Sequence, residues 1–146
     1  MNTLQFEVPG PPIGQGRPRF STVCGHVRAY DAEKSRNYKA YIALLATKAI
    51  EEQGWNVLNF PVMLEIRAYF AVPKSKSKAY KEGALSGKIM PTKKPDADNL
   101  AKAVLDALNG VAYKDDSAII ALKVSKIFSD VPRLEVSVSY VNANCS

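Results

Sequence analysis

Apolar residues change their spacing repeatedly along this chain, and that change constrains its fold more than any other feature. Residues 3 to 8 (TLQFEV) alternate apolar and polar, the pattern of a strand with one buried face. From Ala32 to about Gln53 the interval lengthens. Tyr38, Tyr41, Ile42, Leu45, Ala49 and Ile50 recur at the spacing of one helix face, and Gly54 closes the run. Residues 61 to 72 (PVMLEIRAYFAV) read again as a strand with one buried face. A second helix is predicted over Asn99 to Asn109, with Leu100, Val104, Leu105 and Leu108 on its buried side and Gly110 at its stop. Residues 118 to 128 and 133 to 141 read as two strands joined by Ser129-Asp130-Val131-Pro132, a C-terminal hairpin. Strands and helices interleave without an internal repeat. The expectation is one α+β domain over residues 1–146, with helices packed against a mixed sheet.

The connections carry their own signals. Pro9-Gly10-Pro11-Pro12 ends the first strand, because proline cannot donate to a ladder. Gly14 to Arg19 (GQGRPR) is a flexible basic turn, and Phe20 to Tyr30 fits a short hairpin around Gly25. Asp31 is a candidate N-cap, although Lys34 stands where a capping box needs an acid. Between Pro73 and Pro95 lie Lys74, Lys76, Lys78, Lys81, Lys88, Lys93 and Lys94, with Glu82 as the lone acid. This basic excursion is expected to hold a short surface helix over Ser75 to Leu85, with mobility around Gly83 and Gly87.

Charge points to a partner class. Lysine and arginine number 20 against 14 acids, a net charge of +6, so polyanions and above all nucleic acid lead. Cys24 and Cys145 are far apart and lack further ligands at zinc spacing; Cys24 with His26 cannot complete a four-ligand site. Neither a disulfide framework nor a signal peptide is expected, no apolar run is long enough for a membrane span, and a cytoplasmic location fits.

The block with chemical content is Lys94 to Ile119, KPDADNLAKAVLDALNGVAYKDDSAI. Two acids at i and i+2, Asp96 and Asp98, precede a helix, and two adjacent acids, Asp115 and Asp116, precede a strand. Hydrolysing a phosphodiester needs an activated water and neutralised phosphate charge, which a hard divalent cation on oxygen ligands supplies. Converging aspartates suit that demand. They converge only if the strand after Gly110 runs beside the start of the helix. Lys102 follows Asp98 by four residues and shares its helix face. It reads either as a surface ion pair worth ~0.3–0.5 kcal/mol or as a cation beside the scissile phosphate.

Lys94-Pro95-Asp96-Ala97-Asp98-Asn99-Leu100, then Lys102, Asp106-Ala107-Leu108-Asn109-Gly110 and Tyr113-Lys114-Asp115-Asp116 closely resemble the RusA family of Holliday-junction resolvases. Pro9 to Pro12, Arg17-Pro18-Arg19 and Tyr30 before a Tyr-bearing helix resemble the family's opening segment. The resemblance implies a small homodimeric endonuclease that binds four-way DNA junctions and nicks two strands symmetrically with Mg²⁺, for which Mn²⁺ substitutes. It implies metal-binding, catalytic roles for Asp96, Asp98 and Asp116, with Asp115 assisting or substituting, and a catalytic role for Lys102. It makes a setting in phage recombination and repair an expectation.

Other residues are weighed individually. Arg17 and Arg19 read equally as solvated loop or phosphate clamp. The lysine run, in particular Lys74, Lys76, Lys78, Lys93 and Lys94, reads as a DNA contact in a junction binder. His26 is a turn residue before it is a general base. Trp55 is expected on the sheet edge, and Tyr38, Tyr41 and Phe70 in core or interface. Phe128 is open between a subunit contact and a DNA wedge. The strand Val62 to Val72 or the C-terminal hairpin is the expected dimer interface. Two alternatives stay open: a non-catalytic basic DNA-binding module whose aspartates only cap a helix and a turn, and a nuclease for flaps or single strands.

Overall fold

The computed structural model describes residues 2–16, 19–23, 25–30, 33–56 and 60–140. Their order is β1 (Asn2–Pro9), β2 (Arg19–Val23), β3 (His26–Tyr30), α1 (Glu33–Gln53), β4 (Val62–Phe70), α2 (Lys78–Leu85), α3 (Ala97–Leu108), a single 3₁₀ turn (Asp116–Ala118), β5 (Ile119–Phe128) and β6 (Arg133–Tyr140). The class is α+β, with a mixed four-stranded sheet, three helices and a separate β2–β3 hairpin. Asp31, the expected N-cap, lies outside the described residues, as do Cys24 and Cys145.

Sheet order is β1-β6-β4-β5. β6 runs antiparallel to both β1 and β4, while β4 and β5 are parallel. This corrects the C-terminal hairpin. β5 and β6 follow one another in sequence, but β4 lies between them. The turn at 129–132 arches over the end of β4, where the Ser129 N–H donates to the Phe70 carbonyl at 2.9 Å. The reason lies in direction: α2 and α3 carry the chain back so that β5 starts parallel to β4, and β6 then fills the gap between β4 and β1.

Alternation in β1 puts Leu4, Phe6 and Val8 on one face of the sheet. β4 buries Val62, Leu64, Ile66 and Ala68 in the same core, and β6 adds Leu134, Val136 and Val138. Helices α1 and α3 cover this face, through Tyr38, Ile42, Ala46 and Ala49 on one and Leu100, Ala101, Val104, Ala107 and Leu108 on the other. Completely buried side chains such as Ile42, Ile66 and Leu100 each contribute ~1.5–3 kcal/mol. The opposite face carries Gln5, Glu7, Glu65, Arg67, Glu135 and Ser137.

Trp55 lies at the end of α1 rather than on a sheet edge. It stands edge-on to Tyr140 on the interior strand β6, and its indole N–H donates to the Ala112 carbonyl at 2.7 Å. That bond ties α1 to the loop after α3. Helix α2 starts at Ser77, whose Oγ accepts from the Tyr80 N–H, and seats Tyr80 against Phe128 at 6.2 Å between ring centroids.

Candidate active site

Asp96 is the N-cap of α3: its backbone is extended and its carbonyl accepts the Leu100 N–H at 3.0 Å. Its carboxylate makes no capping bond, and it is exposed. Asp98 is exposed in the first turn, where the positive end of the helix favours its charge. Lys102 is exposed one turn further on. The helix thus starts two residues earlier than the spacing predicts, and the reason is the cap: Asp96 takes the extended conformation, so Ala97 is the first helical residue.

A strap from Pro12 to Gly16 lies across this end of α3. The Gln15 N–H donates to the Asn99 carbonyl at 2.9 Å, and the Gly16 N–H donates to Ser35 Oγ at 2.9 Å. Ser35 is the buried polar residue at the start of α1, so one segment joins both helices. Gly14 allows the approach: a Cβ there would sit 2.7 Å from Pro95 Cβ and 3.1 Å from Asn99 Cβ. Strap and helices border a groove of about 850 Å³. Lys34, Lys94 and Lys102 line it with Asp96, Asn99 and Asp106. Lys34 was legible in sequence only as a misfit in a capping box; the fold makes it a third groove cation.

The second acidic pair follows a tight loop. Gly110 has φ +76°, and its N–H donates to the Tyr113 carbonyl at 2.9 Å. Tyr113 is completely buried, and its hydroxyl donates to the Leu105 carbonyl of α3 at 3.0 Å. Burial pushes this hydroxyl's pKa up, and the charge of the neighbouring Asp116 carboxylate pushes it further. Asp115 caps the 3₁₀ turn: its Oδ2 accepts from the Ser117 N–H at 3.1 Å and from Ser117 Oγ–H at 2.6 Å. These bonds hold its pKa below the usual carboxylate value. Asp115 is therefore engaged in its own turn, whereas Asp116 sits beside a buried hydroxyl.

The two acidic pairs stand toward opposite ends of α3. Asp116 neighbours Tyr113, which bonds Leu105, seven residues or ~10 Å along the axis from Asp98. The far end of β5, not its start, lies beside the beginning of α3: Lys126 Nζ donates to the Lys93 carbonyl at 2.6 Å. The strand after Gly110 does not run beside the helix start, and within one subunit Asp96, Asp98 and Asp116 do not converge. Among the described residues no group of three or more acidic, histidine or cysteine side chains could hold a metal ion.

The lysine run is placed around α2. Lys74 and Lys78 are exposed, and Lys76 lies over the Tyr80 ring at 4.9 Å. Lys93 and Lys94 are exposed directly before Asp96. Lys126 reaches over the Phe70 ring at 5.7 Å. Arg17 lies outside the described residues, and only the backbone of Arg19 and His26 is described, in β2 and β3. Tyr38 is core, while Tyr41 is 39% exposed. No helix among the described residues is long and apolar enough to cross a membrane.

Known proteins resemble this chain along most of its length. It is 44% identical over 145 residues to YqaN of Bacillus subtilis (strain 168), a protein of uncharacterized function; the match covers 98% of this chain and all of that protein. It is 28% identical over 139 residues to the crossover junction endodeoxyribonuclease rusA of Lactococcus phage r1t, covering 94% of this chain and 97% of the phage protein. The family model of the endodeoxyribonuclease RusA matches residues 9–139, a span that includes the strap, the groove and both acidic pairs, so the chain belongs to the RusA family of endodeoxyribonucleases.

Proposed function

We propose that this protein is a divalent-metal-dependent Holliday-junction resolvase that makes paired, symmetric nicks as a homodimer. The observation that carries the reading is the α3 N-terminus: two exposed carboxylates, Asp96 and Asp98, open beside a groove carrying Lys34, Lys94 and Lys102. The three lysines outnumber the two acids, Asp96 and Asp106, that also line the groove, a balance that suits a phosphodiester backbone. Mg²⁺, with Mn²⁺ as substitute, suits Asp96 and Asp98, because this hard ion takes one or two carboxylates and completes its shell with water and substrate phosphate. When bound it supplies charge neutralisation and an activated water.

This chain's own residues do the positioning. Lys94 and Lys102 hold the phosphate on the side facing the strap, and Lys102 opposes the charge that builds in the transition state. Asp116, with Asp115 behind it, completes the acidic set. Its place toward the other end of α3 supports a shared site, in which the partner subunit's Asp116 joins Asp96 and Asp98. Lys74, Lys76 and Lys78, with Arg17 and Arg19, contact the junction arms. A dimer offers the same surface twice and so matches the near two-fold symmetry of a four-way junction.

The test uses single-turnover nicking of a four-way junction, a flap and a linear duplex, with and without Mg²⁺. Nicking restricted to the junction supports the reading, whereas equal nicking of flap and junction sinks it. Asp96→Asn and Asp116→Asn proteins, each inactive, are then unfolded together and refolded. In a shared site, random pairing gives half heterodimers, each with one intact site, so nicking returns to about a quarter of wild type. Sites confined to single subunits return nothing.

A further inference from the structure

We propose that a second groove, on α1, is a nucleobase pocket: one unpaired base of the junction lies on Tyr41, and Asn37 and Glu33 read its edge. This rests on the reading of the α3 groove as the seat of the scissile phosphodiester.

Lys34, Asn37, Tyr38 and Tyr41 recur at intervals of three and four residues and so share one face of α1. With Glu33 and the strap residue Ile13 they line a groove of about 520 Å³. Tyr38 is buried in the core and forms its floor, while Asn37 is exposed and Tyr41 is 39% exposed. The groove meets the α3 groove at Ile13 and Lys34, which line both. Their separation is set by the fold, because the strap is pinned to α3 through the Asn99 carbonyl and to α1 through Ser35 Oγ.

The two grooves differ in chemistry. The α3 groove carries three lysines and suits phosphate. The α1 groove carries one cation, Lys34, which it shares, and the carboxylate of Glu33 offsets it. Ile13, Tyr38 and Tyr41 supply the rest of the lining, which is apolar and aromatic. A phosphate gains little from such a surface. A base gains a tyrosine ring for its flat face, a contact open to any base. Its edge meets the Asn37 amide, which donates and accepts, and the Glu33 carboxylate, which only accepts. That acceptor favours cytosine or adenine, which present an exocyclic amino group, over thymine, which presents a carbonyl there. From Lys34 to Tyr41 is seven residues, ~10 Å along the helix axis. That distance equals about three steps of a DNA strand at ~3.4 Å each, so the base belongs close to the phosphate held at Lys34. A base at a branch point has lost a stacking neighbour and is the one most readily unpaired.

The test begins with junctions in which the nucleotides near the nick are replaced one at a time by an abasic site. Single-turnover nicking by the wild-type protein should fall about tenfold at one position, and cytosine or adenine there should outpace thymine. Tyr41→Ala should fold as wild type by circular dichroism and keep the wild-type sedimentation. Its rate on the intact junction should match that of wild type on the abasic one, and the abasic site should cost it nothing further. Glu33→Gln/Asn37→Ala should lose the discrimination against thymine. A second measurement needs no cleavage. Wild-type protein in metal-free buffer is bound to junctions carrying 5-iodocytosine at each scanned position in turn and irradiated, and Tyr41 should be the residue that cross-links. A flat abasic scan in a protein that nicks, an abasic effect that persists in Tyr41→Ala, or cross-links that avoid α1 overturns the pocket. So does a Tyr41→Ala chain of lower mass in solution, which assigns the groove to contact between copies. Cross-linking at Tyr41 in a protein that nicks no junction leaves the pocket standing and removes the resolvase reading.

Discussion

Tyr113→Phe isolates one hydroxyl and asks what it does for Asp116. The ring fills a completely buried position, and phenylalanine keeps that packing. What leaves is the hydrogen bond to the Leu105 carbonyl at 3.0 Å and the hydroxyl beside Asp116. The carbonyl is not orphaned, because the Asn109 N–H also donates to it at 3.0 Å. The stability loss is therefore that of one ordinary hydrogen bond, about 1 kcal/mol, without the larger penalty of an unpaired buried acceptor. For a chain of this size that lowers Tm by ~2–4 °C. Asp116 loses more: its side chain is left to the 3₁₀ turn, in which Asp115 and Ser117 are engaged with each other. Single-turnover cleavage should fall about tenfold, equivalent to ~1.4 kcal/mol of transition-state stabilisation. Junction Kd should not move. Combining the change with Asp116→Asn should cost nothing further in rate, since the two share one interaction. A wild-type cleavage rate in Tyr113→Phe, or a rate loss equal to and additive with that of Asp116→Asn, refutes the positioning of Asp116 by Tyr113.

Gly14→Ala puts a methyl group 2.7 Å from Pro95 Cβ and should cost ~1–3 kcal/mol, seen as a lower Tm, with weaker junction binding as the strap lifts from α3. Removing the charges of Lys74, Lys76, Lys78 and Lys81 should lower the slope of log Kd against log salt by up to ~3.6, while cleavage at saturating DNA persists. Lys102→Ala should do the reverse: cleavage falls ~100-fold at nearly constant Kd, and a loss confined to affinity would return this lysine to a surface ion pair. Burial holds the Tyr38 hydroxyl at about 12, above its ordinary 10.0, so its protonated form stabilises the fold below pH 10, and that contribution is lost as pH rises toward 12. Tyr38→Phe should therefore shift alkaline unfolding, followed by circular dichroism, to higher pH; an unchanged midpoint would place the alkaline transition elsewhere.

Local pattern carried much of this molecule. The 3.6-residue spacing of Tyr38, Ile42 and Ala49 placed α1, and the acid pair before Leu100 placed the start of α3 within two residues. Properties that depend on how distant segments meet were not legible. Ser129 to Pro132 reads as a hairpin turn because its neighbours in sequence are strands; only the pairing of β4 with β6 shows that the turn crosses a strand. The strand Val62 to Val72 reads as one of two candidate dimer interfaces, yet β4 is interior and hydrogen-bonded on both sides, so it cannot supply an edge. The separation of Asp98 from Asp116 depended on the direction of β5 relative to α3, which no residue spacing records. Lys34 enters the groove because α1 and α3 meet under the strap. Gly14 and Gly16 did carry a local signal: two glycines flanking one residue beside prolines mark a backbone that approaches something closely.

An acidic set divided along α3 has a consequence for how such an enzyme would work. A subunit that carried all its carboxylates at one point could cleave alone, and a junction cut on one strand is left nicked and unresolved. On the proposed reading, with Asp96 and Asp98 at the start of the helix and Asp116 near its end, neither copy of a dimer would hold a full set. Chemistry would then depend on association, and association about a two-fold axis would create two equivalent sites in one event. The turn at 110–116 serves that division. Gly110 reverses the chain, Tyr113 anchors it to Leu105, and Asp115 closes the 3₁₀ turn, so Asp116 is held toward the opposite end of α3 from Asp96 and Asp98. The same loop is fastened to the end of α1 through the Trp55 indole and the Ala112 carbonyl, which ties it to the core. On the proposed reading, symmetric double nicking would follow from where the fold puts its acids, without a separate device to synchronise the cuts.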